Sequence, residues 1–294
     1  MKQQEQTKNY FNSHATAWND QAKQLSYNTI VDRNSAVIDS LRSHGSVKNF
    51  LDVGCGTGQL TIEVASTGAT ATGIDFAPEM IKICKEAAGA SKSTAKFVQS
   101  SVFDFSPDLN SFDLISAQGF IEYISERELE IFIKFVGETL RSNGIAVIGS
   151  RNRLFNIFSL NEYTKLEESL GTSSNLILES TLIQLAKSQE SLFDELERQD
   201  FHSKQPVSHP NTGIEVTTRF QYSPSELIRK FKKADLHPIK IYPVNFQPIP
   251  QSLLTETPWS NVKDQLANQV SHLPLRPHQL VPFSSSFVLA VKKN

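Results

Sequence analysis

The sequence predicts an α/β fold, a mostly parallel seven-stranded sheet with helices on both faces, and three observations carry it. Strand-like and helix-like patterns alternate from Lys48 to Ser150. Inside that alternation SFDLISAQ, Ser111 to Gln118, is an apolar run of the kind buried on both faces of a parallel sheet. Ahead of it LDVGCGTGQL, Leu51 to Leu60, runs an apolar strand into Gly54, Gly56 and Gly58 and then into a helix. Such alternation favours right-handed strand–helix–strand units, because sequential elements pack as neighbours with that handedness.

At 294 residues the chain is long enough for one large core with additions. A formal net charge of −2 gives no electrostatic footprint for a phosphate backbone, so nucleic acid is not expected as a partner. The N-terminal MKQQEQTKNY lacks the apolar centre of a signal peptide, and no apolar stretch is long enough to span a bilayer. A cytoplasmic protein without a membrane span is the expectation. The 2 cysteines, Cys55 and Cys84, support neither a disulfide framework nor a zinc site, and no metal is expected.

The elements follow in order. From Tyr10 to Leu25, Phe11, Ala15, Trp18, Ala22 and Leu25 recur at helical spacing. A second helix, Thr29 to Ser43, points Ile30, Val37, Ile38 and Leu41 inward and stops at Gly45. Lys48 to Val53 is the first strand and Gln59 to Ser66 the helix after the glycines. Thr70 to Asp75 is the second strand, followed by a helix with Pro78 in its first turn, where a missing N–H is harmless. Lys96 to Val102, Ser111 to Gln118 and Ile145 to Ser150 are three further strands, with a helix at Glu126 to Leu140 and a turn at Ser142 to Gly144. The rhythm then stops. Arg151 to Gln221 reads as a helical insertion containing one long helical pattern, Leu176 to Gln199, with Leu178, Leu182, Leu185, Leu192 and Leu196 on one face. His202 to Gly213 is a loop that closes it. At Ser223 the sequence SPSE is a capping box, with Glu226 reaching back to its own helix start. A strand at His237 to Val244, a helix at Trp259 to Leu273 and a last strand, SSSFVLAVKK, complete the sheet. The expected organisation is an N-terminal helical cap at 1–46, a core at 47–150 and 222–294, and a substrate lid at 151–221.

The glycine turn is a candidate cofactor cradle, since a helix start presents free N–H groups to an anionic ligand. A dinucleotide, a nucleotide phosphate and S-adenosylmethionine all use such turns. A dinucleotide fingerprint wants glycine or alanine where Gln59 stands, and a phosphate-binding loop wants lysine followed by serine or threonine. What is left is a GxGxG turn followed by Asp75 at the end of the next strand, placed to accept hydrogen bonds from ribose hydroxyls.

Taken together, LDVGCGTGQL, TGIDFAPEMI, FVQSSVFDF and SFDLISAQGFIEYI resemble the class I S-adenosylmethionine-dependent methyltransferases, and within them the small-molecule enzymes related to those of quinone biosynthesis. The resemblance covers Lys48 to Ser150 closely and Tyr222 to Lys292 more loosely, and it implies a Rossmann-like core with S-adenosylmethionine as cofactor. It places Asp52, Gly54, Cys55, Gly56 and Gly58 at the methionine end, Asp75 at the ribose, and Phe76, Met80, Ser101, Val102 and Phe103 at the adenine. Ser101 stands where relatives usually carry aspartate. Gln118 and Gly119 fall near the transferred methyl. Glu122, Tyr123 and His14 are the candidate catalytic side chains, Glu122 standing where many relatives have histidine. Tyr10, Trp18, Phe155, Phe158 and Tyr163 are candidates for the acceptor pocket, and Arg151 and Arg153 for a clamp on a carboxylate or phosphate. The expected partner is a small-molecule methyl acceptor. A cofactor-binding protein without transfer activity stays open as an alternative, and a nicotinamide-dependent dehydrogenase is disfavoured by Gln59.

Overall fold

The computed structural model describes residues 2–23, 28–199, 201, 204–206, 210, 219–253, 262, 265–270 and 272–294. Seven strands form one sheet: β1 (Asn49–Val53), β2 (Thr70–Asp75), β3 (Lys96–Gln99), β4 (Phe112–Ala117), β5 (Leu140–Arg151), β6 (Leu236–Phe246) and β7 (Ser284–Lys293). Their order is β3-β2-β1-β4-β5-β7-β6, and β7 runs antiparallel to both of its neighbours. Every residue of β4 is buried, as its unbroken apolar run requires. The apolar centre of β7 is likewise explained by its place between β5 and β6. β5 begins earlier than its apolar centre suggests: Leu140 pairs with Phe112 and Ile145 with Leu114, so the Ser142–Gly144 turn is extruded as a bulge within the strand.

The sequence order of the strands reverses between β1 and β4. In open α/β sheets this switch point leaves a crevice beyond the carboxyl ends of the strands, where ligands bind. The helices around the sheet are α1 (Lys2–Ser13), α2 (Ala15–Lys23), α3 (Asn28–His44), α4 (Gln59–Ser66), α5 (Pro78–Ser91), α6 (Glu126–Thr139), α7 (Phe155–Ser159), α8 (Glu162–Leu170), α9 (Ser173–Leu185), α10 (Gln189–Arg198) and α11 (Pro224–Lys232). Ala36 and Val37 of α3 share a core with Phe50, Leu60, Val147 and Val288, so α3 packs as part of the central sandwich. Leu176 and Ile183 of α9, with Leu192 and Leu196 of α10, join the main core with Leu51, Ile115 and Leu289.

Two expected helices are each broken in two. The first divides at His14, and Leu25 lies outside the described residues. The second divides at Ala186 to Ser188, where Ser188 accepts the Ser191 N–H at 3.1 Å and starts α10 afresh. That break turns α9, so Leu178 and Leu185 face outward at 46% and 73% exposure while Ile183 is buried. The third strand also ends sooner, at Gln99, leaving Ser101 to Phe103 in the turn beyond it. The Ser223 capping box forms as read, with the Ser223 N–H donating to Glu226 Oε2 at 2.7 Å. Residues 265–270 are helical, whereas most of the His202 to Gly213 loop and the start of the Trp259 helix lie outside the described residues. No helix among the described residues is long and apolar enough to cross a membrane.

Candidate active site

A cleft of about 590 Å³ opens at the switch point, and its volume is that of a small-molecule site. The glycine loop forms its floor. Gly54 and Cys55 N–H both donate to the Ile74 carbonyl, at 2.9 and 3.0 Å, and Gly56 N–H donates to Asp75 Oδ2 at 3.1 Å. The loop is thereby tied to the end of β2. Gly56 has φ +53° and no protein atom lies within 4 Å of where a Cβ would stand. Gly58, at φ +81°, has a different task. A Cβ there would lie 2.8 Å from both Cys84 Sγ and Phe97 Cε1, so its bareness lets α4 close on α5 and β3. It is absent from the cleft lining, which corrects its expected cofactor contact.

Two carboxylates face this half. Asp75 Oδ1 accepts the Ala77 N–H at 2.9 Å, yet burial pushes its pKa up to about 6. Asp52 Oδ2 accepts the Thr61 hydroxyl at 2.9 Å, and burial, with a smaller contribution from the charge of Asp75, takes it to about 7. In both, desolvation outweighs the hydrogen bonds received, and such buried carboxylates suit ribose hydroxyls and a cationic ligand. Phe76, Met80, Val102 and Phe103 supply an apolar wall, and Ser101 Oγ fixes its turn by accepting the Phe103 N–H at 3.3 Å. Gln118 Nε2 donates to the Val147 carbonyl at 2.8 Å, anchoring the end of β4 to β5, and Gly119 follows it in the lining. The residues present therefore fit an adenosine-bearing sulfonium cofactor.

The other half is built around Glu122, in a short 3₁₀ turn at Ile121–Tyr123 that is 2% exposed at Glu122 itself. Arg219 Nε donates to Glu122 Oε2 at 3.0 Å, while Arg33 and Arg151 stand 3.6 and 4.0 Å from its oxygens. Burial raises the Glu122 carboxyl, but the charges of Arg219, Arg33 and Arg151 outweigh it and hold the pKa below the ordinary range. A carboxylate so stabilised is a poor proton acceptor. Glu122, the candidate base, stands among guanidinium groups and anchors them. Burial and the charge of Glu122 push the Tyr123 phenol up, so it stays neutral. Phe11 meets the Tyr123 ring edge-on at 5.1 Å, and Phe155 and Tyr163 also line the cleft, whereas Trp18 packs in the cluster of Ala77, Met80 and Phe76 beside the cofactor half.

Four further expectations are corrected by position. His14 is exposed, with Nδ1 2.9 Å from the Tyr10 carbonyl and its ring stacked on Tyr10, and neither residue lines the cleft. Phe158 packs on Phe283 with ring centroids 4.8 Å apart. Arg153 is 1% exposed and bound by Glu167 at 2.8 Å, Glu226 at 3.0 Å and the Lys204 carbonyl at 2.7 Å, so it holds the insertion to α11. Two arginines of the site were missed. Arg33 falls within the apolar stripe between Ile30 and Val37, and a charge on an inward face is the signal that marks it. Arg219 has no such signal. It arrives because Tyr222 N–H donates to the Arg151 carbonyl at 3.2 Å and Phe220 N–H to the Glu122 carbonyl at 2.8 Å, which lays 219–222 across the end of β5.

Comparison with known proteins agrees with this layout. Residues 50–144 match the methyltransferase domain family. The sheet order and the glycine cradle agree with that match, which runs from β1 into β5. Among curated relatives, the ubiquinone biosynthesis O-methyltransferase of Azorhizobium caulinodans is 28% identical over 111 residues, covering 38% of this chain and 43% of that protein. Its counterpart in Actinobacillus pleuropneumoniae is 30% identical over 118 residues, covering 38% and 50%. The chain spans about half the length of the curated relatives it matches. Among solved structures, magnesium protoporphyrin IX methyltransferase from Synechocystis, with bound S-adenosylhomocysteine, superposes with TM-score 0.57 at 12% identity, covering 98% of each chain. The 1,6-didemethyltoxoflavin-N1-methyltransferase of Burkholderia thailandensis superposes with TM-score 0.55 at 13% identity, covering 98% of this chain and 88% of that one. At these identities the structures show a shared fold.

Proposed function

We propose that this chain transfers the methyl group of S-adenosylmethionine to oxygen, nitrogen or carbon of a small-molecule acceptor. The observation that carries the reading is one continuous cleft with two chemically different halves. The glycine loop, Asp52 and Asp75 form one, and an aromatic, arginine-bearing chamber around Glu122 forms the other. Asp75 would hold the ribose, Phe76, Met80, Val102 and Phe103 the adenine, and Asp52, Gly54, Cys55 and Gly56 the methionine end. When bound, the cofactor supplies an activated methyl group. The chain's contribution is then orientation: Gln118 and Gly119 border the junction of the two halves, and the N-terminal helices with the 151–221 insertion cover the acceptor. Holding the reacting atoms about 3–3.5 Å apart accounts for much of the acceleration such a transfer needs.

The test is turnover. Purified protein with methyl-labelled S-adenosylmethionine and a pool of cell metabolites should form S-adenosylhomocysteine and a labelled product. Cofactor binding with no product from any pool would instead identify a binding protein.

A further inference from the structure

We propose that the methyl acceptor carries a carboxylate, clamped by Arg151 and Arg219 at the Glu122 end of the cleft. The inference rests on the methyl-transfer reading and names the substrate class. Charge along the cleft is segregated. Its cofactor half holds Asp52 and Asp75, and its other half gathers Arg33, Arg151 and Arg219 around Glu122. Among the described residues, three guanidinium groups thus share one carboxylate within 4.0 Å. Like charges buried together repel unless an anion is supplied.

Hydrogen bonding points the same way. Each guanidinium offers five N–H donors. Arg151 Nε is buried and makes no hydrogen bond, and the Tyr163 hydroxyl, also on the cleft wall, is buried without a partner. Burial and the charge of Arg219 lower the pKa of Arg151 against the opposing attraction of Glu122, which it shares with two other guanidiniums. A planar carboxylate matches the fork of an arginine, and Tyr163 can donate to it as well. Aromatic rings line this half together with amides such as Asn156, Gln221 and Gln247. Arg219 lies over the Tyr123 ring, 5.8 Å from its centroid, beside Phe11 and Phe155. Arg33 is left out of the clamp, because its guanidinium also donates to Ser286 Oγ at 3.3 Å and fills the space where a Cβ on Gly119 would stand.

The experiment measures binding rather than turnover. Full-length protein saturated with S-adenosylhomocysteine is titrated, by ligand-observed NMR, with 4-hydroxybenzoate, 3,4-dihydroxybenzoate, indole-3-acetate and hexanoate. The primary amide of each and phenyl phosphate are titrated alongside. The expected result is that acids bind at least tenfold tighter than their amides, because a charge-assisted hydrogen bond is worth roughly ten- to a hundredfold in affinity. Arg151→Gln and Arg219→Gln should each erase most of that preference and leave S-adenosylhomocysteine affinity within about threefold of wild type. Arg151→Lys, which keeps the charge, serves where the glutamine variants fail to fold, and should retain part of the preference. Equal binding of acids and amides, no binding by any acid, or tighter binding of phenyl phosphate would overturn the proposal. Failure of wild-type protein to bind S-adenosylhomocysteine would instead strike the methyl-transfer reading.

Discussion

Replacing Asp75 by asparagine should weaken cofactor binding and, at alkaline pH, stabilise the unliganded protein. Raising a carboxyl from 3.8 to about 6 means that keeping it ionised at neutral pH costs on the order of 3 kcal/mol. The sign follows from linkage: because the folded pKa lies above the unfolded one, the penalty is absent below the unfolded pKa and complete above the folded one. Asparagine removes the charge but can accept only one of the two N–H bonds, from Gly56 and Ala77, that Asp75 now accepts. One lost bond subtracts about 1 kcal/mol. The net expectation is a gain of about 2 kcal/mol at pH 8, turning to a loss of about 1 kcal/mol at pH 3. Urea unfolding of both proteins at the two pH values measures this. S-adenosylhomocysteine titrated into the same samples at pH 8 should bind about ten- to a hundredfold more weakly to the variant. A stability difference that does not change with pH would show that burial does not raise Asp75. Unchanged affinity would remove Asp75 from the cofactor site.

Three further outcomes follow from the same geometry. Affinity of the wild type for S-adenosylhomocysteine should rise with pH up to about 7 as Asp75 and Asp52 ionise, and calorimetry should find the slope below pH 6 reduced in Asp75→Asn. Arg153→Met should cost about 3–5 kcal/mol in urea unfolding, since it strands Glu167 and Glu226 without their cation, while cofactor affinity is unchanged. Glu122→Gln, which strips three guanidiniums of their shared anion, should raise KM for the acceptor while the kcat–pH profile keeps its shape; disappearance of an acidic limb from that profile would mark Glu122 as the base.

The cradle was legible because its determinants are local. Strand, glycine turn and helix occupy Leu51 to Leu60, and Asp75 ends the adjacent strand, so neighbouring sequence is neighbouring space. Arg151 and Arg153 show where such reading stops. Two residues apart on a strand, they share a face. But β5 ends at Arg151, and Asn152 turns the chain by donating to the Ser284 carbonyl at 2.9 Å and accepting the Leu154 N–H at 3.1 Å. Arg151 is left in the cleft and Arg153 swings into a buried ion network. The partners that decide this, Glu167, Glu226 and Ser284, are distant in sequence. The same holds for Arg219, whose place is set by pairing with β5. His14 failed for the opposite reason, since a residue at the junction of two short helices need not share the face of either.

The separation of charge along the cleft bears on how a transfer without a basic side chain could proceed. A sulfonium cofactor brings positive charge to the half where Asp52 and Asp75 sit, and relieving their desolvation is a source of binding energy. The arginines at the far end would repel that cation, which disfavours its binding in reverse. An anionic acceptor experiences the mirror image, drawn to Arg151 and Arg219 and kept from the aspartates. Each ligand then has one favoured seat, and the two seats meet beside Gln118 and Gly119. Glu122, ionised among the guanidiniums, prevents three like charges from forcing the chamber apart before the acceptor arrives. On this account the acceptor half of the fold works through charge placement. Its specificity should reside in Arg151, Arg219 and the aromatic wall, more than in any group that exchanges a proton.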